Sequence, residues 1–82
     1  MKKSEMQKAL RDELELHRRL LRNYIQEGEK EFARMQANRI AGVASLAERL
    51  GLLDAQQAED IQKEASDAAI YGFRVDAGDE PA

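Results

Sequence analysis

The chain has no cysteine and no tryptophan, one proline, one histidine, and only two tyrosines and two phenylalanines in 82 residues. Without cysteine there is no disulfide and no thiolate metal site; the lack also fits a reducing compartment. A single histidine, His17, cannot build a histidine-rich metal cage. No apolar run approaches the roughly 20 residues that a membrane-spanning helix requires. Met1-Lys2-Lys3-Ser4-Glu5 opens onto a charged amphipathic stretch rather than an export signal. There is no glycine-rich phosphate loop and no nucleophile elbow. The expectation is a cytoplasmic, non-enzymatic protein with no cofactor, no metal, no membrane contact and no small-molecule substrate.

What remains is short, polar and charged, with 35% Asp, Glu, Lys and Arg. A chain this small buries about 60% of its unfolded surface, so its core is thin. With disulfides and metals excluded, a second copy is the expected source of further burial. The net charge of −3 hides a gradient: residues 1–25 carry +3, residues 26–53 are neutral and residues 54–82 carry −6. Such a gradient fits packing of a basic N-terminal arm near an acidic C-terminal arm, or a basic face kept for a partner. It does not fit generic nucleic-acid binding, which goes with a basic domain.

Ser4-Glu5-Met6-Gln7 has the pattern of a capping box. Beyond it, Met6, Leu10, Leu14, His17, Leu21 and Tyr24/Ile25 recur in steps of three and four, which describes one face of a helix. Gly28 interrupts the composition but not the rhythm, which runs on through Phe32, Met35, Ile40, Val43, Leu46/Ala47, Leu50 and Leu53. The sequence therefore points to one long helix over about 4–50, bent or broken at Gly28. Gly51 suits a helix C-terminus, the turn spans 51–54, and Asp54 with Gln57 caps a return helix over about 55–72. The inner face of that helix is small: Ala58, Ile61, Ala65 and Ala68/Ala69. Residues 1–75 form one helical domain, and 76–82 read as a disordered acidic tail.

This is an all-α helical hairpin of unequal arms. The long helix outruns the return helix by roughly 40 Å at 1.5 Å per residue. The stripe from Met6 to Ile25 then needs a second chain, giving a coiled-coil-like homodimer. If Gly28 is a turn, the stripe folds back instead and the chain is a three-helix bundle.

Among the polar side chains, Arg11, Arg18 and Arg22 form a stripe beside the apolar face. Snorkelling arginines that flank a seam look like this; so does a docking stripe. With Leu14, Leu21 and Tyr24 they make up the candidate protein-binding surface. His17 sits on the apolar face and reads as a core or interface residue, four residues from Glu13. The ladder of Ala33, Ala37, Ala41 and Ser45 allows another helix to come close.

Residues 45–73 resemble the Rop family, through Ser45-Leu46-Ala47-Glu48-Arg49-Leu50-Gly51-Leu52-Leu53-Asp54-Ala55 followed by Asp60-Ile61, Asp67 and Ala69. Members of that family are plasmid-encoded helical hairpins that dimerise into four-helix bundles and bind paired RNA loops. The resemblance implies an RNA-contacting face at Glu27, Arg34, Asn38, Gly42 and Arg49. Of these, Arg34, Asn38 and Arg49 keep basic or hydrogen-bonding character. Asn38 stands where the family has an aromatic, Gly42 where it has an amide, and Glu27 where it has a basic residue. The leading expectation is a regulator or adaptor, of a kind carried by phages and plasmids, that binds protein through a helix face. The alternative is a Rop-like RNA-binding regulator of plasmid replication.

Overall fold

The computed structural model describes residues 2–72, so the tail expected over 76–82 lies outside the described residues. Three helices follow one another, α1 (Lys3–Gln26), α2 (Lys30–Arg49) and α3 (Ala55–Tyr71). The single helix expected over 4–50 is therefore two. The hairpin of unequal arms is replaced by three helices of comparable length.

The break is local and well defined. Gly28 has φ of +75°, a left-handed conformation that glycine adopts without a Cβ penalty. The Gly28 N–H donates to the Ile25 carbonyl at 3.1 Å, and the Glu29 N–H donates to the Tyr24 carbonyl at 2.9 Å. These are the two bonds of a Schellman motif, which satisfies carbonyls orphaned at a helix end. Gly51, with φ of +76°, repeats it at the end of α2. There Gly51 N–H donates to Glu48 at 3.0 Å and Leu52 N–H to Ala47 at 2.8 Å.

The helix starts differ in quality. Asp54 and Gln57 cap α3 reciprocally: Asp54 Oδ1 accepts from the Gln57 amide at 2.7 Å, and Gln57 Oε1 accepts from the Asp54 amide at 2.9 Å. α1 begins two residues ahead of the expected Ser4 cap. Its first turn is held by the Lys2 N–H donating to Glu5 Oε1 at 3.0 Å. A carboxylate there also complements the positive end of the helix dipole.

α2 lies between its neighbours and packs along both, while α1 and α3 touch little. The fully buried side chains are mostly alanines: Ala33, Ala37, Ala44 and Ala47 of α2 against Ala58, Ala65 and Ala68 of α3. Small residues let these two axes approach closely. Among the described residues, the only large side chains sealed completely are Leu21 and Ile40, with Leu14, Tyr24, Ile25, Ile61 and Ala69 packed around them, half-buried. The core is thin, as the length required.

Candidate functional site

The sequence-derived surface divides in two. Leu21 is fully buried and Leu14 packs half-buried against the same cluster. Both are corrected from partner-facing to core, because the turn at Gly28 brings α2 onto the stripe that seemed to need a second chain. Arg18 Nη2 donates to Glu64 Oε2 at 3.0 Å, tying α1 to α3. By helical position Arg11 and Arg22 lie on this same flank, and both are exposed. The arginine stripe thus borders the acidic return helix. Tyr24 lies at the opposite edge of α1, its ring stacked on Phe32 with centroids 5.5 Å apart.

The face that stays open lies one row round from the expected stripe. On α1 it consists of Met6, Ala9, Glu13, Leu16, Leu20 and Tyr24; on α2, of Phe32, Met35, Arg39, Val43, Leu46 and Leu50. Both sets step by three and four, so each is a seam along one side of its helix. Both lie on the side of the α1–α2 pair away from α3. Among the described residues, seven large apolar side chains are strongly exposed, and five of them are on this face: Leu16, Phe32, Met35, Leu46 and Leu50. Scattered exposed leucines need no explanation, but a contiguous patch does. At its open end the face deepens into a groove of about 350 Å³ walled by Met6, Leu10, Val43, Leu46, Leu50 and Leu52, with Glu13 as its polar rim.

A polar chain marks the boundary between this face and the core. Gln36 is buried and its Nε2 lies 2.6 Å from His17 Nδ1, while His17 Nε2 lies 3.0 Å from Glu13 Oε2. A neutral imidazole has one donor and one acceptor, so His17 donates to Glu13 and accepts from Gln36. These contacts hold the three side chains in fixed relation to one another, and among the described residues Glu13 and His17 gain no third ligand. Among the described residues no group of three His, Cys, Asp or Glu side chains converges as a metal site would require.

Arg34, Asn38 and Arg49 are all exposed, and helical spacing places them on one outward side of α2. Arg34 and Asn38 also line a second, more enclosed groove of about 380 Å³ shared with Gln62 and Ser66 of α3. Glu27 caps the end of α1, and Gly42 is exposed with nothing near its missing Cβ. Among the described residues, no helix is long and apolar enough to cross a membrane. No family model, no curated protein and no solved structure matches this chain.

The open seams went unread because α2 is apolar along two rows at once. Ile40 and Ala47 belong to the row that faces the core, and Met35, Leu46 and Leu50 to the row that faces out. Read as one stripe they merge. Separated by 3.6-residue periodicity, they show a helix with more apolar surface than its own chain covers.

Proposed function

We propose that this chain is a small, non-enzymatic helical regulator or adaptor that works by holding protein against the α1–α2 face. One observation carries the reading: two parallel seams of large apolar side chains stay open on the side that α3 leaves bare. A surface of that kind exacts a solubility cost and is kept where something covers it. The absence of a convergent set of catalytic groups among the described residues favours binding over chemistry, and the build suits the compact regulators that phages and plasmids carry. The test is affinity capture from the native host with the wild-type chain and with a Met35→Glu/Leu46→Glu variant of equal helicity. Proteins held by the first and lost by the second support the reading; an identical set with both contradicts it.

A second reading has its own observation. Arg34, Asn38 and Arg49 share the outward side of α2, as the Rop-like alternative requires. RNA bound there would be retained at low salt and released steeply as salt rises. A gel-shift series with paired RNA loops that shows no retention at low salt removes this alternative.

A further inference from the structure

We propose that the α1–α2 face closes on the same face of a second copy about a two-fold axis parallel to the helices, so that α1 of each chain lies on α2 of the other. This rests on the docking reading above and names both the occupant and its orientation. The two Gly28 turns then stand at the same end of a four-helix body, with α3 of each chain on its outside.

Charge chooses the axis. Each seam carries one charged residue, Glu13 on α1 and Arg39 on α2. The Tyr24–Phe32 stack sets those two rings level at the Gly28 end, and Met6 and Leu50 wall the same groove at the open end. Counted from the Gly28 end, Arg39 lies about 10 Å along its helix and Glu13 about 16 Å, a difference of about one turn. An axis across the helices would lay α1 on α1 and α2 on α2, so each charge would meet its own sign. The axis along the helices instead puts Glu13 and the partner's Arg39 on facing helices, about 6 Å apart in height. A guanidinium on its long stem spans that step, and the pair forms twice. Copies of the same charge then stand diagonally across the four helices. Within one chain Glu13 is engaged by His17, and among the described residues nothing hydrogen-bonds or ion-pairs with Arg39. A foreign surface of one predominant charge would face its own sign at Glu13 or at Arg39. A second copy in this orientation does not.

The apolar layers agree with the same axis. Rotation about it leaves every height unchanged, so each level of α1 meets the matching level of α2 in the other chain. Met6 comes level with the partner's Leu50, Leu20 with the partner's Met35, and Tyr24 with the partner's Phe32. Ala9, the smallest residue of either seam, comes level with the partner's Leu46, which is 56% exposed in the single chain. A large side chain thus meets the space that a small one leaves. An isologous contact needs this kind of self-complementarity.

The size also suffices. Two helices about 30 Å long and together about 20 Å wide offer roughly 600 Å² per copy, or about 1,200 Å² in all, the lower bound for a stable specific interface.

The experiment uses the full chain. Glu13→Arg and Arg39→Glu are made separately, and molar mass is followed by light scattering against concentration, with circular dichroism as the check on folding. The wild type is expected to be a dimer. Each reversal alone replaces both opposite-charge pairs by like-charge pairs and weakens the dimer by roughly 10- to 100-fold. An equimolar mixture of the two variants then forms a heterodimer with both pairs restored, which unfolding of either variant could not produce. Orientation is read independently by cysteine placement, since the chain has no native cysteine. Leu20→Cys chains mixed with Met35→Cys chains are expected to join covalently on oxidation. Neither variant does so alone, because its two copies stand across the diagonal, roughly 14 Å apart for neighbouring axes about 10 Å apart. Leu16→Cys sits where an axis across the helices would bring its two copies together, and it is expected to stay unlinked. A wild type that is monomeric throughout, a dimer indifferent to both reversals, no recovery on mixing, or cross-linking through Leu16→Cys alone overturns the proposal. If the wild type is monomeric, the capture comparison with Met35→Glu/Leu46→Glu still decides by itself whether the face docks another protein.

Discussion

Among the described residues, Leu21 and Ile40 are the only large side chains hidden completely, so little else there can compensate for losing either. Leu21→Ala is expected to cost about 2–5 kcal/mol, a large share of the stability of so small a domain, and urea denaturation would show it as a lowered midpoint. A substitution to Ala at Gly28 has a different cause. Nothing lies within 4 Å of a Cβ placed there, and φ is +75°, so the penalty is the left-handed backbone alone, about 1–2 kcal/mol. The same value at Gly51 in the same denaturation experiment would confirm that both turns work alike. The His17–Gln36 contact makes a third case. His17→Leu alone strands a buried amide and is expected to cost about 1–3 kcal/mol. Adding Gln36→Leu, which removes the other partner too, should return most of that loss. A double-mutant cycle measures the difference.

At the scale of the element, the two Schellman turns show what sequence can and cannot disclose. Gly51 was legible because Asp54 and Gln57 mark a new helix start just beyond it, and Leu52 joins Ala47 in the wall of the same groove. Glu27-Gly28-Glu29 makes the same pair of hydrogen bonds with a carboxylate in that position, so no apolar contact advertised the stop. The step from Ile25 to Phe32 is also seven residues, the spacing an unbroken helix would keep, so the hydrophobic rhythm survived a reversal of the chain. The helical class, the Gly51 turn, the Asp54–Gln57 cap and the span of α3 could all be read. The division of α1 from α2 stood in the sequence only as the alternative of a turn at Gly28, and the unbroken reading carried Leu14 and Leu21 to a partner. Between elements, the Arg18–Glu64 pair joins α1 to α3 with both side chains about half exposed. Water screens such a pair, so Glu64→Gln is expected to lower stability by no more than about 1 kcal/mol. Thermal melts in low and high salt should narrow even that difference.

The described residues form a three-helix unit whose middle helix has apolar surface on two sides and cover on one. Its sealed core is largely alanine, and its larger side chains, Leu16, Met35, Leu46 and Leu50, stand outside that core. Such a distribution makes sense for a subunit whose burial is completed by association, because obligate interfaces resemble a core cut in two. It makes little sense for a solitary domain, in which those residues would be a solubility burden. The measurement that bears most directly on this is the thermal midpoint as a function of protein concentration, for the wild type and for Leu46→Glu. Folding coupled to association makes the wild-type midpoint rise, by about 5–10 °C over a hundredfold range of concentration, while the variant melts lower and at a fixed temperature. A wild-type midpoint that ignores concentration and coincides with that of the variant would contradict the account.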